Sequence, residues 1–159
     1  MKHLKKIALA LIFAPFLQAI DQHDAQWTVI GAGPTGIMSV GLILDHGIAA
    51  DKIVWIDDQF NVGRMGNYYT NVPGNGRVEQ YIAFLNQCSF FKDVQSEAIQ
   101  HLYALPLEHT PALEVLVNPL RDITQYLQLR VIAIKDRMIG LDYRDNQWRI
   151  NTSTATIVF

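Results

Sequence analysis

Gly31-Ala32-Gly33-Pro34-Thr35-Gly36 strips the backbone of side chains at three closely spaced points, and a carboxylate, Asp57, follows about twenty residues after the last glycine. Bare backbone lets N–H groups approach a large anion. A carboxylate accepts hydrogen bonds from neighbouring hydroxyls. Recognition of a dinucleotide needs both, one for the diphosphate and one for the ribose. Gly31 allows a tight turn, Gly33 lets the chain come close to a pyrophosphate, and Gly36 lets the next helix pack tightly on a sheet. Ala32 and Thr35 complete the cradle. Pro34 suits a first helical turn, where a missing N–H costs little. The free N–H groups and the positive end of the helix dipole then face the phosphates. Asp57 is placed to hold the ribose of an adenosine. With Asp58 beside it, the negative charge should repel a 2′-phosphate, which disfavours NADP as the ligand of this site.

Those residues need elements to position them. Trp27-Thr28-Val29-Ile30 reads as a buried strand before the turn. Ile37, Val40, Gly41 and Leu44 then recur at helical spacing, predicting a helix from Pro34 to His46 with Gly47 at the left-handed cap. A second apolar run, Ile53-Val54-Trp55-Ile56, ends in Asp57. Strand, glycine turn, helix, strand and acid in this order make the motif specific. Asp58 to Gly76 reads as a long Gly/Asn-rich loop in which Arg64 is a solvated charge, with a phosphate or substrate anion as its alternative partner. Apolar spacing predicts a helix over Val78–Phe91 with Cys88 as a buried structural thiol, and residues 93–129 read as helices broken at Pro106, Pro111 and Pro119. The tail is β-prone: Val131–Ile134, Met138–Tyr143, Gln147–Ile150 and Ala155–Phe159, with turns at Asp136-Arg137 and Asp145-Asn146.

With 159 residues, 50% apolar and 18% charged, the chain has the makings of one globular domain. A net charge of −2 excludes an electrostatic case for nucleic-acid binding. A single cysteine excludes an intramolecular disulfide and a paired-thiol redox centre, and His101 and His109 share no metal-ligand spacing with a second His or Cys pair, so no metal is assigned. Met1–Lys6 is basic, Ile7–Leu17 is almost wholly apolar, and Ala19 precedes a polar stretch. This is the order of a secretory signal and predicts export, with residues 1–22 as leader and 23–159 as the domain. The apolar run is short for a membrane span. An attached N-terminal helix, on a cytoplasmic protein, is the alternative.

From about Trp27 to Phe159 the chain resembles the N-terminal part of FAD/NAD(P)-binding oxidoreductases of the pyridine-nucleotide-disulfide-oxidoreductase and flavin-monooxygenase type. Val29–Gly36 and Val54–Asp57 carry the resemblance, with looser matches at Gly63-Arg64-Met65-Gly66 and Tyr68–Pro73. It implies an α/β, Rossmann-like domain, incomplete in this chain, with a parallel sheet, helices and a β-meander. It implies FAD as cofactor, with NAD(P)H as co-substrate through a domain not present here. It also gives Val131 as the position whose backbone meets the adenine. The implied function is an FAD-dependent oxidoreductase module that binds the ADP part of FAD. An NAD-dependent dehydrogenase domain and a non-catalytic truncated nucleotide-binding domain are the alternatives. The residues name no catalytic group.

Overall fold

The computed structural model describes residues 19–22 and 25–159. The basic and apolar part of the expected leader, residues 1–18, lies outside the described residues. Its last part does not: Ala19–Gln22 forms the first strand, β1.

The glycine motif sits in a β–α–β unit. Trp27–Ile30 is β2, Pro34–Asp45 is helix α1, and Ile53–Asp57 is β3. Pro34 occupies the first turn of α1, and Gly47 takes the left-handed conformation just beyond its end (φ +78°). Ile132–Lys135 is the strand β4, and the parallel sheet runs β2-β3-β4. Ile30 registers with Ile56, and Asp57 with Lys135. This register brings the turn after β2 and the acid ending β3 to the same edge of the sheet.

β3 is the centre of the molecule. Ile53 and Trp55 face the helices and pack with Ile37, Val40, Leu120 and Ile123 in one core. Val54 and Ile56 face the other way, onto Ile150 and Ile157. Such two-sided burial explains why the run is apolar without alternation.

The second sheet is the meander. Its strands are β5 (Met138–Arg144), β6 (Gln147–Thr152) and β7 (Ala155–Val158), in the order β1-β7-β6-β5. β1 runs parallel to β7 and the other pairs are antiparallel. Asp145 and Asn146 join β5 to β6 with φ of +53° and +63°. Left-handed conformation at both central residues is what a two-residue hairpin of this twist requires, and Asp and Asn tolerate it. The architecture is thus α/β, with a Rossmann-like parallel sheet, helices and a β-meander.

Three expectations between the sheets need correction. The loop after Asp58 contains a short helix, α2 (Gly63–Tyr68). The helix from Val78, α3, ends at Leu85 rather than Phe91. There the Asp45 carboxylate accepts the N–H groups of Ser89 (2.6 Å) and Phe90 (3.3 Å). A separate 3-10 turn, Ser89–Asp93, forms on those bonds. Finally, Pro119 breaks nothing. After α4 (Glu97–Ala104), the helix α5 (Glu114–Gln128) runs straight through it. An interior proline costs about 3 kcal/mol. Against it, α5 buries Leu116, Val117, Leu120, Ile123 and Leu127, each contributing about 1.5–3 kcal/mol. Burial wins. Among the described residues no helix is long and apolar enough to cross a membrane.

Candidate functional site

The glycine turn is held from below by β3. The Gly31 N–H donates to the Ile56 carbonyl at 2.8 Å, and the Trp55 Nε1–H donates to the Gly31 carbonyl at 3.0 Å. Gly31 has φ +94°, a conformation that suits glycine. That same carbonyl crosses over α1 so closely that a Cβ at Gly36 would lie 2.0 Å from it. Phe60 stacks edge-on against Trp55, with ring centroids 4.9 Å apart. Backbone and ring together leave the turn one shape.

Asp57 closes the other side. Its Oδ2 accepts the Ala32 N–H at 2.7 Å, and its Oδ1 accepts the N–H groups of Gln59 (2.8 Å) and Phe60. Ala32 is fully buried, so its N–H depends on this carboxylate. A carboxylate offers about four acceptor positions, and three are used here. Asp57 is only half-buried, so its carboxylate stays partly open to solvent. Asp58 follows with its side chain exposed.

The first turn of α1 faces the same crevice. No side chain caps it, and the first helical bond is Ile37 N–H to Gly33 carbonyl at 3.0 Å. The N–H groups of Thr35 and Gly36 precede that bond and are free of intrahelical partners. Thr35 is exposed. A Cβ built on Gly33 meets no atom within 4 Å and projects into open space. The result is a cradle that a methyl group would fill, lined by donors at a positive helix end. Those residues fit a diphosphate.

A third wall comes from the segment after Asp57. Phe60 (φ +54°), Val62 (φ +57°) and Gly63 (φ +57°) are all left-handed. For a β-branched residue such as Val62 this costs about 1–3 kcal/mol and persists only where the surroundings enforce it. Val62 is fully buried. Gly63 lies against the turn, where a Cβ would come within 3.2 Å of Gly33 Cα. From α5, Arg121 reaches this wall through Asn61 (Nε to Oδ1, 2.7 Å) and the Gly66 carbonyl (Nη2, 2.8 Å).

Gly31 through Gly36, Asp57 and Asp58 therefore meet at one edge of the sheet. Val131 does not. It precedes Ile132, which pairs with Val54 at the opposite end of the strands. At a strand rise near 3.3 Å, Val131 lies about 13 Å from the level of Asp57. Its N–H is bonded to the Leu127 carbonyl (3.2 Å), and its side chain is buried in the core under the helices. At the Asp57 edge stand Lys135, the last residue of β4, and its successor Asp136. The Asp136 N–H donates to the Asp57 carbonyl at 3.1 Å. The Asp136 carboxylate accepts the N–H groups of Arg137 and Thr154 and the hydroxyls of Ser153 and Thr154, pinning the β6–β7 turn beside the site. These donors, the Ser153 hydroxyl foremost, hold the Asp136 carboxyl well below the usual carboxylate range.

Sequence reasoning gave no site role to Trp55, Phe60, Gly63, Arg121 or Asp136. A tryptophan within an otherwise aliphatic buried strand was a signal, because a buried indole N–H must find an acceptor. Arg121 and Asp136 act over separations of 55 or 60 and 17 or 18 residues, and no local pattern marks them.

No family model matches the chain. In sequence it is similar to the monooxygenase AgnR1 of Paecilomyces divaricatus, 36% identical over 66 residues, which is 42% of this chain and 17% of that protein. In structure it is similar to the bacillithiol disulfide reductase Bdr (YpdA) of Staphylococcus aureus. The TM-score is 0.59 at 17% identity, over 87% of this chain and 36% of that one. It is also similar to OTEMO in complex with FAD and NADP, with a TM-score of 0.61 at 16% identity, over 87% of this chain and 24% of that one. The chain spans a minor part of each of these proteins. The chain has the Rossmann-like fold shared by FAD- and NADP-binding monooxygenases and a disulfide reductase.

Proposed function

We propose that this chain is the nucleotide-binding module of an FAD-dependent oxidoreductase. It would hold the ADP part of FAD between the Gly31–Gly36 turn and Asp57. The observation that carries the reading is the 2.7 Å bond from the Ala32 N–H to Asp57 Oδ2. That bond joins a ribose-type carboxylate to an open, uncapped phosphate cradle. The FAD and NADP bound by OTEMO support FAD in the same fold.

The work of this chain is binding and orientation. The N–H groups of Thr35 and Gly36 and the α1 dipole face the diphosphate, Gly33 gives it room, and the remaining acceptor of Asp57 takes a ribose hydroxyl. The carboxylates of Asp57 and Asp58 work against a 2′-phosphate. Flavin, when bound, supplies the redox centre that no side chain here provides. The meander directly after β4 favours FAD over a simple NAD domain, in which strands and helices would go on alternating.

The test is titration of the purified chain with FAD, ADP and NADH, followed by calorimetry and flavin fluorescence. Saturable binding of FAD and ADP, with weaker NADH, is expected. A chain that takes up NADH and not FAD is a dehydrogenase-type domain. One that takes up none of the three overturns the reading.

A further inference from the structure

The wall opposite the glycine turn is held in an unfavourable shape, and its restraint comes from far along the chain. Phe60, Val62 and Gly63 are left-handed within four residues. α2 is a single short helix, and its late carbonyls lack helical partners. Arg121 supplies what is missing. Its Nη2 donates to the Gly66 carbonyl at 2.8 Å and its Nε to Asn61 Oδ1 at 2.7 Å, while Nη1 is steadied by Asn118 Oδ1 at 3.0 Å on its own helix. Asn61 in turn donates from Nδ2 to Asn67 Oδ1 at 2.6 Å. One guanidinium thus ties together both ends of the segment that presents Gly63 to Gly33. A planar fork with fixed donors does this and an ammonium does not.

We propose that Arg121 is a positioning residue for nucleotide binding: through Asn61 and Gly66 it holds α2 against the glycine turn and sets the width of the phosphate cradle. The proposal rests on the nucleotide reading above. Arg121 need not touch the ligand. It acts through Gly63, which lies close enough to the turn that a Cβ there would press on Gly33 Cα, and whose anchoring keeps α2 from drifting away.

The experiment uses the whole 159-residue chain and four variants, Arg121→Ala, Arg121→Lys, Asn61→Ala and the Arg121→Ala/Asn61→Ala double, with two readouts. The first is amide hydrogen exchange over residues 61–68 without nucleotide, which tests the clamp independently of any ligand. The second is the dissociation constant for FAD and for ADP. In Arg121→Ala, exchange over 61–68 is expected to quicken and both ligands to bind about tenfold more weakly, the scale of one charge-assisted hydrogen bond. Arg121→Lys keeps the charge and loses the fork, so it should resemble Arg121→Ala. Asn61→Ala in the Arg121→Ala background should add little, because the two share one path. Should Arg121→Ala not fold, Asn61→Ala alone gives the same two measurements. Unchanged exchange overturns the clamp. Quickened exchange with unchanged affinity overturns the role in binding, as does full rescue by lysine. If the unaltered chain binds neither FAD nor ADP, the nucleotide reading falls, and the exchange data still decide whether the clamp exists.

Discussion

The Ala32 N–H and the Asp57 carboxylate meet at 2.7 Å across the mouth of the sheet. The bond makes Asp57 a structural acceptor before any ligand arrives. Together with the N–H groups of Gln59 and Phe60 it fixes the orientation of the carboxylate. Under the proposed function, stability and recognition are therefore coupled at this residue.

Asp57→Ala removes the acceptor from three N–H groups, one of them on fully buried Ala32. An unsatisfied buried donor costs about 1–3 kcal/mol, so a loss of that order is expected in urea unfolding, together with loss of FAD binding. Asp57→Asn keeps one carbonyl oxygen and drops the charge. It should bind ADP more weakly and relax discrimination against 2′-phosphorylated ADP, read from the ratio of the two dissociation constants.

Gly33 and Gly36 separate function from folding. A methyl at Gly36 would sit 2.0 Å from the Gly31 carbonyl, and backbone cannot swing aside. Gly36→Ala should lower stability by about 1–3 kcal/mol, the usual cost of overpacking. A methyl at Gly33 meets nothing, and its φ of −77° is open to any residue. Gly33→Ala should therefore leave stability unchanged or raise it by about 0.4–1 kcal/mol. It should nonetheless lose FAD binding, because the methyl occupies the cradle. Thermal melts paired with FAD titrations check both.

Asp136 makes an acid-stability prediction. Its folded-state carboxyl is held below the ordinary value of 3.8 by Ser153 and its neighbours. In that window the unfolded chain binds the proton more readily. Stability from Asp136 is thus fully present above 3.8 and lost as pH falls below it. Asp136→Asn should be less stable at neutral pH and show a flatter acid limb, measured by urea unfolding at a series of pH values.

Cys88 should be inert in the native protein. Burial, aided by the nearby Asp45 carboxylate, pushes its thiol up to about 11. Alkylation by iodoacetamide at pH 8 should be very slow when folded and fast in urea. Rapid native alkylation would contradict the burial of Cys88 in the core.

What the amino-acid sequence determined by itself is the set of features whose physics is local. The glycine spacing, Pro34 in a first helical turn, the acid ending the second apolar run and the Asp145-Asn146 turn each depend on residues a few positions apart. Backbone sterics and pattern suffice for these, and they already name the residues of the proposed nucleotide site. Tertiary structure decided whatever depends on register or distant partners. Val131 belongs to a β-prone run, but only the pairing of Asp57 with Lys135 shows that it lies at the wrong end. Pro119 reads as a break, yet the buried stripe of α5 outweighs its cost. Nothing in the local sequence marks Arg121, whose partners appear only when α5 lies beside Asn61 and Gly66. Periodicity tells which face of an element is apolar. It carries no information about which element that face will meet, because that choice is made by packing between segments far apart in the chain.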